Sequence, residues 1–189
     1  IKSLLSLFKI LNNDKKSKVI IIEGSGKGFS AGHNLKEIKL LKNKASYKRL
    51  FDYCSKLMLT ITSHNKPIIA KVHGAAFAAG CQLVASCDLA FSTSSSIFAT
   101  PGVNIGLFCS TPMVALTRTV NRKQSMKMLL TGEHIEASYA KEIGLINDFF
   151  PEKKLENEVI KISKLIASKS HLVIKIGKEA FYKQLEMPL

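Results

Sequence analysis

The sequence of 189 residues has no tryptophan, only three arginines (Arg49, Arg118 and Arg122) and four cysteines (Cys54, Cys81, Cys87 and Cys109) with no CxxC pair. Each shortage excludes something. Proteins that read phosphates lean on the planar fork of arginine, so a net charge of +14 carried almost wholly by lysine describes a solvated basic surface. Such a surface still attracts polyanionic ligands. Without CxxC spacing or a histidine at ligand distance, the cysteines are expected to be reduced core thiols in a cytosol-like compartment, and no metal site is expected. Lys, Asp or Glu interrupts every apolar run before the roughly 18 residues of a membrane span, so none is expected. The first residue is Ile1, already inside the helical spacing of Leu4, Leu5, Phe8 and Leu11, and the sequence stops abruptly at Leu189. The chain therefore reads as a piece of a longer protein. Cytoplasmic location is the default, and mitochondrial if a transit peptide has been lost upstream.

What is present is α/β punctuation over a single domain, with no repeat, low-complexity tract or linker. Short β-branched runs at Val19–Ile22, Ile68–Val72, Asp88–Phe91, Ile97–Ala99 and Leu145–Phe149 predict strands. Helices are predicted from about Leu35, over Ser46–Thr62 (apolar stripe Leu50, Cys54, Leu57, Met58, Ile61), Pro112–Thr119, Ser125–Leu130, Ala137–Ile143 and Leu155–Ala167, and from near Leu172. Residues 1–150 form the strand-bearing core and residues 151–189 begin a helical region.

Two strand-to-helix junctions stand out. The first predicted strand runs into Gly24, Ser25, Gly26, Lys27, Gly28. This is neither a dinucleotide fingerprint, because Phe29 stands three residues after Gly26, nor a P-loop, because Gly28 follows Gly26 and Lys27. It leads into Ser30, Ala31, Gly32, His33 and Asn34 at a helix start. Ala75 to Ala79 and Gly80 repeat the construction after the second strand. N–H groups at a helix start are unpaired and suit an oxygen that gains negative charge. Tight packing of helix on sheet explains either turn alone; two in sequence could aim two amides at one oxygen.

These residues resemble the crotonase, or enoyl-CoA hydratase/isomerase, family. Phe29 to Leu35 is similar to its F-x-A-G-x-D-[IL] segment. His73 to Leu83 is similar to N-G-x-[AC]-x-G-G-G-x-E-[IL], followed by Cys87 and Asp88 for [CS]-D, and Phe98 to Gly102 for F-x-x-P-E. The likeness runs on through Leu130, Thr131, Gly132, Glu133 and Ala140 to Gly144, Leu145, and the run Cys81–Asp88 with Ser96–Thr111 resembles one subgroup more narrowly. The resemblance implies a crotonase-like α/β spiral of ββα units with C-terminal helices, truncated here at both ends, and a homotrimer or hexamer when full length. It also implies an acyl-CoA ligand, coenzyme A entering as part of the substrate with no separate cofactor, in fatty acid or acyl-CoA metabolism. Residue by residue, the backbone N–H groups of Ala31 and Ala79 would hold the thioester oxygen, with Gly32, His33, Asn34, Gly80 and Cys109 around the ligand. The two glutamates of hydratase chemistry would fall on Gln82 and Gly102, and both are gone. Ala79 is also less free than glycine to adopt a positive φ.

With both carboxylates absent, simple hydration is expected to be very slow, and the single-acid isomerase pattern is lost with Gly102. A non-catalytic acyl-CoA binder or regulatory protein is the main alternative. Lesser ones are a thioester hydrolase using Cys109, for which His33, His64 or His73 would have to serve as base, and an RNA binder using Lys36, Lys39, Lys42, Lys44, Lys48 and Arg49. Asn34 is expected to cap its helix, Asp88 to hydrogen-bond structurally, and Glu133 is a further acid in a turn.

Overall fold

β-branched runs with no polar alternation want both faces covered, which favours a parallel sheet between helices. The computed structural model, which describes residues 1–188, has that arrangement. In chain order the elements are α1 (Lys2–Asn13), β1 (Ile20–Glu23), α2 (Leu35–Lys39), α3 (Lys44–Thr62), β2 (Ile68–Val72), β3 (Ala75–Phe77), α4 (Ala79–Ser86), β4 (Leu89–Thr93) and β5 (Ile97–Ala99). A 3₁₀ helix at Pro101–Ile105 leads to α5 (Ser110–Thr119), α6 (Arg122–Thr131), β6 (Ile135–Glu136), α7 (Ala137–Glu142), β7 (Asp148–Phe150), α8 (Glu152–Ala167) and α9 (His171–Gln184).

From β2 to β5, successive strands alternate between two sheets. One is parallel in the order β1-β2-β4-β7; the other has β3 parallel and β6 antiparallel to β5. Each β2-β3-α4 or β4-β5-α5 unit is thus one turn of a ββα spiral. Within β2, Ile68, Ala70 and Val72 enter the main core with Leu57, Ile61 and Val84, while Ile69 joins Phe91, Leu155 and Val159 under α8. That split is the period-2 alternation of a strand.

Several expectations shift. The small-residue run Ala75–Ala79 splits into the strand β3 and the start of α4, the last strand is Asp148–Phe150 instead of Leu145–Phe149, and the 3₁₀ helix and β6 were not foreseen. Asp88 is structural as expected: Oδ2 accepts from Ile68 N–H (2.7 Å) and Lys178 Nζ (2.6 Å), and Oδ1 from Tyr182 Oη (2.9 Å), which ties α9 to the sheet. Burial holds the Lys178 ammonium below its usual range, against the pull of Asp88.

The α3–β2 corner buries two polar residues. Lys66, 1% exposed, donates to the carbonyls of Leu11 and Asp14 (2.6 Å) and to Ser17 Oγ (2.8 Å), so its charge sits on the C-terminal end of α1. His64 Nδ1 accepts the Lys66 N–H (3.0 Å) and Nε2 faces the Phe8 carbonyl (3.2 Å). A carbonyl only accepts, so Nε2 carries the proton and the ring is neutral. Burial, the largest cause, lowers the His64 pKa.

Between that lowered value and 6.5 the unfolded chain binds the extra proton, so His64 costs nothing above about pH 6.5 and costs stability as pH falls through its folded pKa. Stability of the natural chain against urea is expected to fall as pH drops below about 6.5. The variant His64→Gln, less stable throughout, is expected to lose up to about 1.4 kcal/mol per pH unit of that slope.

Candidate functional site

The glycine loop after β1 is pinned to the second sheet by backbone. Ser30 N–H donates to the Ala75 carbonyl (3.0 Å) and the Ser30 carbonyl accepts from Phe77 N–H (2.8 Å), a parallel bridge centred on Ala76. His73 Nε2 lies 2.9 Å from the Gly26 carbonyl and anchors the loop's near end. This lays residues 30–32 against the start of α4. A Cβ on Gly80 would fall 2.2 Å from the Ser30 carbonyl oxygen, and one on Gly32 (φ +91°) would fall 3.1 Å from Ala78 Cβ and 3.2 Å from the Ala79 nitrogen.

The first hydrogen bond of α4 runs from Gln82 N–H to the Ala78 carbonyl (3.0 Å). Among the described residues, neither the Ala79 nor the Ala31 N–H has an acceptor. Two free amides therefore stand on adjoining backbone, one of them at a helix N-terminus, where the dipole favours negative charge. The strain expected at Ala79 sits instead at Ala78, whose φ of +49° is the one positive value among the described non-glycine residues. Ala79 is ordinary helix, and Ala78 is held in place by its N–H to the Ala99 carbonyl (2.9 Å).

The other candidates fall at different distances from this pair. Asn34 caps α2 as expected, Oδ1 accepting from Lys36 N–H (3.1 Å) and Nδ2 donating to Glu37 (2.9 Å). His33 packs edge-on to Phe51 with ring centroids 6.0 Å apart; its Nε2 is buried without a partner, and desolvation lowers its pKa. Gln82 is 5% exposed, and its Oε1 takes the Cys54 thiol at 3.7 Å. Gly102 is buried in the 3₁₀ helix, with its N–H on Cys109 Sγ (3.3 Å). A Cβ there would meet the Leu107 carbonyl at 2.6 Å and Cys109 Sγ at 2.8 Å, so the loop has closed over the space a side chain at 102 would need. Thr100 Oγ1, next to this helix, is buried and unpartnered.

Cys109 has Gly102 N–H as its hydrogen-bond partner, burial raises its pKa, and Cys81 is pushed up to about 12 by burial with a smaller effect of Cys109. Such protonated thiols are poor nucleophiles. His64 and His73 are committed to backbone partners, so neither is a base for Cys109. Glu133 is exposed in the turn after α6. The lysines from Lys36 to Lys48 and Arg49 are all exposed. Among the described residues, no three His, Cys, Asp or Glu gather as a metal site, and no helix is long and apolar enough to cross a membrane. Two surface depressions, of about 440 and 390 Å³, lie beside α1, α3 and α9 and include none of residues 30–34 or 79–82.

Sequence reasoning missed two functional details. The Ala78 strain has a weak signal, an alanine where the motif carries glycine. The Cys54 partner of Gln82 has none, since it lies 28 residues away in an apolar stripe.

The family model for enoyl-CoA hydratase/isomerase matches residues 1–189. Rat mitochondrial enoyl-CoA hydratase domain-containing protein 3 is 49% identical over 98% of the chain, and the chain spans 64% of that protein's length. The mitochondrial enoyl-CoA hydratase of Pongo abelii is 34% identical, again with 64% of its length covered. The crystal structure of human enoyl-CoA hydratase domain-containing protein 3 superposes with a TM-score of 0.96 at 49% identity, covering 100% of this chain and 74% of that one. An enoyl-CoA hydratase from Mycobacterium smegmatis gives 0.97 at 43%, covering 100% and 73%.

Non-glycine residues at such positive φ cost about 1–3 kcal/mol. Ala78→Gly is expected to raise unfolding stability by about 1 kcal/mol after the entropy of glycine is subtracted. Gly32→Ala, at φ +91° against Ala78 Cβ, is expected to lower it by a similar amount or more. Chemical denaturation of both variants checks the opposite signs.

Proposed function

Because the chain belongs to the enoyl-CoA hydratase/isomerase family, we propose that it binds an acyl-CoA thioester, the thioester oxygen accepting from the Ala31 and Ala79 N–H groups. The observation that carries this reading is the pair of amides without acceptors on backbone held together through Ser30. Donors set before the reaction stabilise an enolate or tetrahedral oxyanion by about 3 kcal/mol each. Oxygen chemistry beside a thioester is therefore the reaction class, in fatty acid or acyl-CoA metabolism.

Hydration needs groups that position water and move its proton, each contributing about 10²–10⁴-fold. Gln82 takes no proton near neutral pH, and Gly102 offers neither side chain nor room for one. A second reading, binding without turnover, is favoured by this absence of a free carboxylate. Thioester hydrolysis by Cys109 has no support from its thiol, which burial keeps protonated and whose hydrogen-bond partner is the Gly102 N–H. Assembly as a homotrimer or hexamer belongs to the proposal too; Leu172, Val173, Ile176 and Phe181 of α9 stand exposed and would gain a cover. The relatives named as mitochondrial favour that location over the cytoplasmic default.

The test is calorimetry with butanoyl-CoA and crotonoyl-CoA, with mass spectrometry for products. Both thioesters are expected to bind. Hydration of crotonoyl-CoA is expected to run about four orders of magnitude or more below that of a two-glutamate enzyme. Failure of both to bind would sink the thioester reading. Released acid or isomerised acyl chain would mean a base other than Gln82 or Gly102 acts.

A further inference from the structure

Among the described residues, two buried side-chain polar atoms have no partner, His33 Nε2 and Thr100 Oγ1. Such atoms are rare in a folded chain and ask for an explanation. Both residues belong to segments that meet the start of α4. Thr100 follows Ala99, whose carbonyl accepts the Ala78 N–H. His33 follows Gly32, where a Cβ would come 3.2 Å from the Ala79 nitrogen. A threonine hydroxyl keeps its proton near neutral pH, whereas an imidazole gains and loses one there. The other ionisable groups of the region are spent. His64 and His73 face backbone carbonyls, Asp88 accepts from Ile68, Lys178 and Tyr182, and burial keeps the Cys81 and Cys109 thiols protonated. Phe51 of α3 meets the His33 ring edge-on. On α2, Lys36 and Lys39 are exposed and Glu37 is taken by Asn34; on α3, Lys48 is paired with Asp52 (2.7 Å); Ala78, Ala79 and Gly80 carry no charge. Burial, and to a lesser degree the amino group of Ile1, favour the neutral ring.

We propose that His33 is a catalytic residue of this site, its Nε2 taking a proton from C2 of the bound acyl thioester and giving it back. The inference rests on the thioester reading given above. The C2–H bond breaks, its electron pair becomes the C1–C2 double bond, and the carbonyl pair moves onto the oxygen held by the Ala31 and Ala79 N–H groups. Nε2 accepts with Nδ1 already carrying the ring proton, so His33 ends as imidazolium. Return of the proton to C2 restores the ligand. Return to C4 of a 3-enoyl thioester moves the double bond into conjugation. No water is added and no carboxylate is needed, which suits a site with an amide at position 82 and no side chain at position 102.

The test is deuterium exchange on the full chain with 3-butenoyl-CoA, whose C2–H is acidified by the neighbouring double bond. Mass spectrometry in D₂O follows deuterium in the acyl chain and the shift to crotonoyl-CoA, and calorimetry gives the dissociation constant. Exchange is expected, at a rate that is flat above about pH 6.5 and falls as pH drops through the lowered pKa of His33. His33→Gln keeps a polar side chain but no titrating nitrogen. It is expected to slow exchange about 100-fold or more and to abolish the pH dependence, with the dissociation constant changed less than about threefold. A natural-chain rate still climbing above about pH 7, a rate unchanged in His33→Gln, or binding with no exchange at all would each overturn the inference while the thioester reading stands. Failure of 3-butenoyl-CoA and butanoyl-CoA alike to bind overturns both.

Discussion

Two backbone hydrogen bonds on either side of Ser30 hold the site together. They fasten a loop from one sheet to a strand of the other, and that fastening, not any side chain, sets Ala31 beside the beginning of α4. The neighbouring small residues follow from it. With the Ser30 carbonyl 2.2 Å from where a Gly80 Cβ would stand, only glycine lets helix and loop approach so closely. The positive φ of Ala78 is the strain of turning from β3 into α4 within one residue. Strain at such a place persists only where the surroundings fix it; here the bond from Ala78 N–H to the Ala99 carbonyl does so.

Neither position 82 nor position 102 brings a carboxylate: Gln82 carries an amide, and position 102 is closed by Leu107 and Cys109, while Asp88 is spent on tying α9 to the sheet. On the proposed reading, a scaffold of this kind keeps the means of holding an acyl oxygen while giving up the means of moving protons through carboxylates. The fold and family are secure on the whole chain; the chemistry of the altered site is the proposal.

The sequence spoke clearly wherever side chains carried the signal. Ile68 to Val72 could only be a buried strand, and the Cys54, Leu57, Met58, Ile61 stripe only a packed helix face. It was silent where backbone or distant pairing decided. Ala75 to Phe77 has no β-branched residue, and its strand exists because β5 and Ser30 pair with it. Nothing in the sequence marks Lys66 as buried, yet the end of α1 draws its ammonium inside. Gly102 reads as a lost glutamate; the close approach of residues 107–109 is invisible without coordinates. Gln82 reads the same way, and its contact with the Cys54 thiol, 28 residues away, is equally invisible.

The most direct measurement is amide NMR of the isotopically labelled chain titrated with butanoyl-CoA. If the thioester oxygen sits between the two backbone donors, the Ala31 and Ala79 amide protons move downfield together and saturate at one ligand concentration. Unmoved Ala31 and Ala79 signals, while resonances elsewhere in the chain respond to the same ligand, would contradict the account.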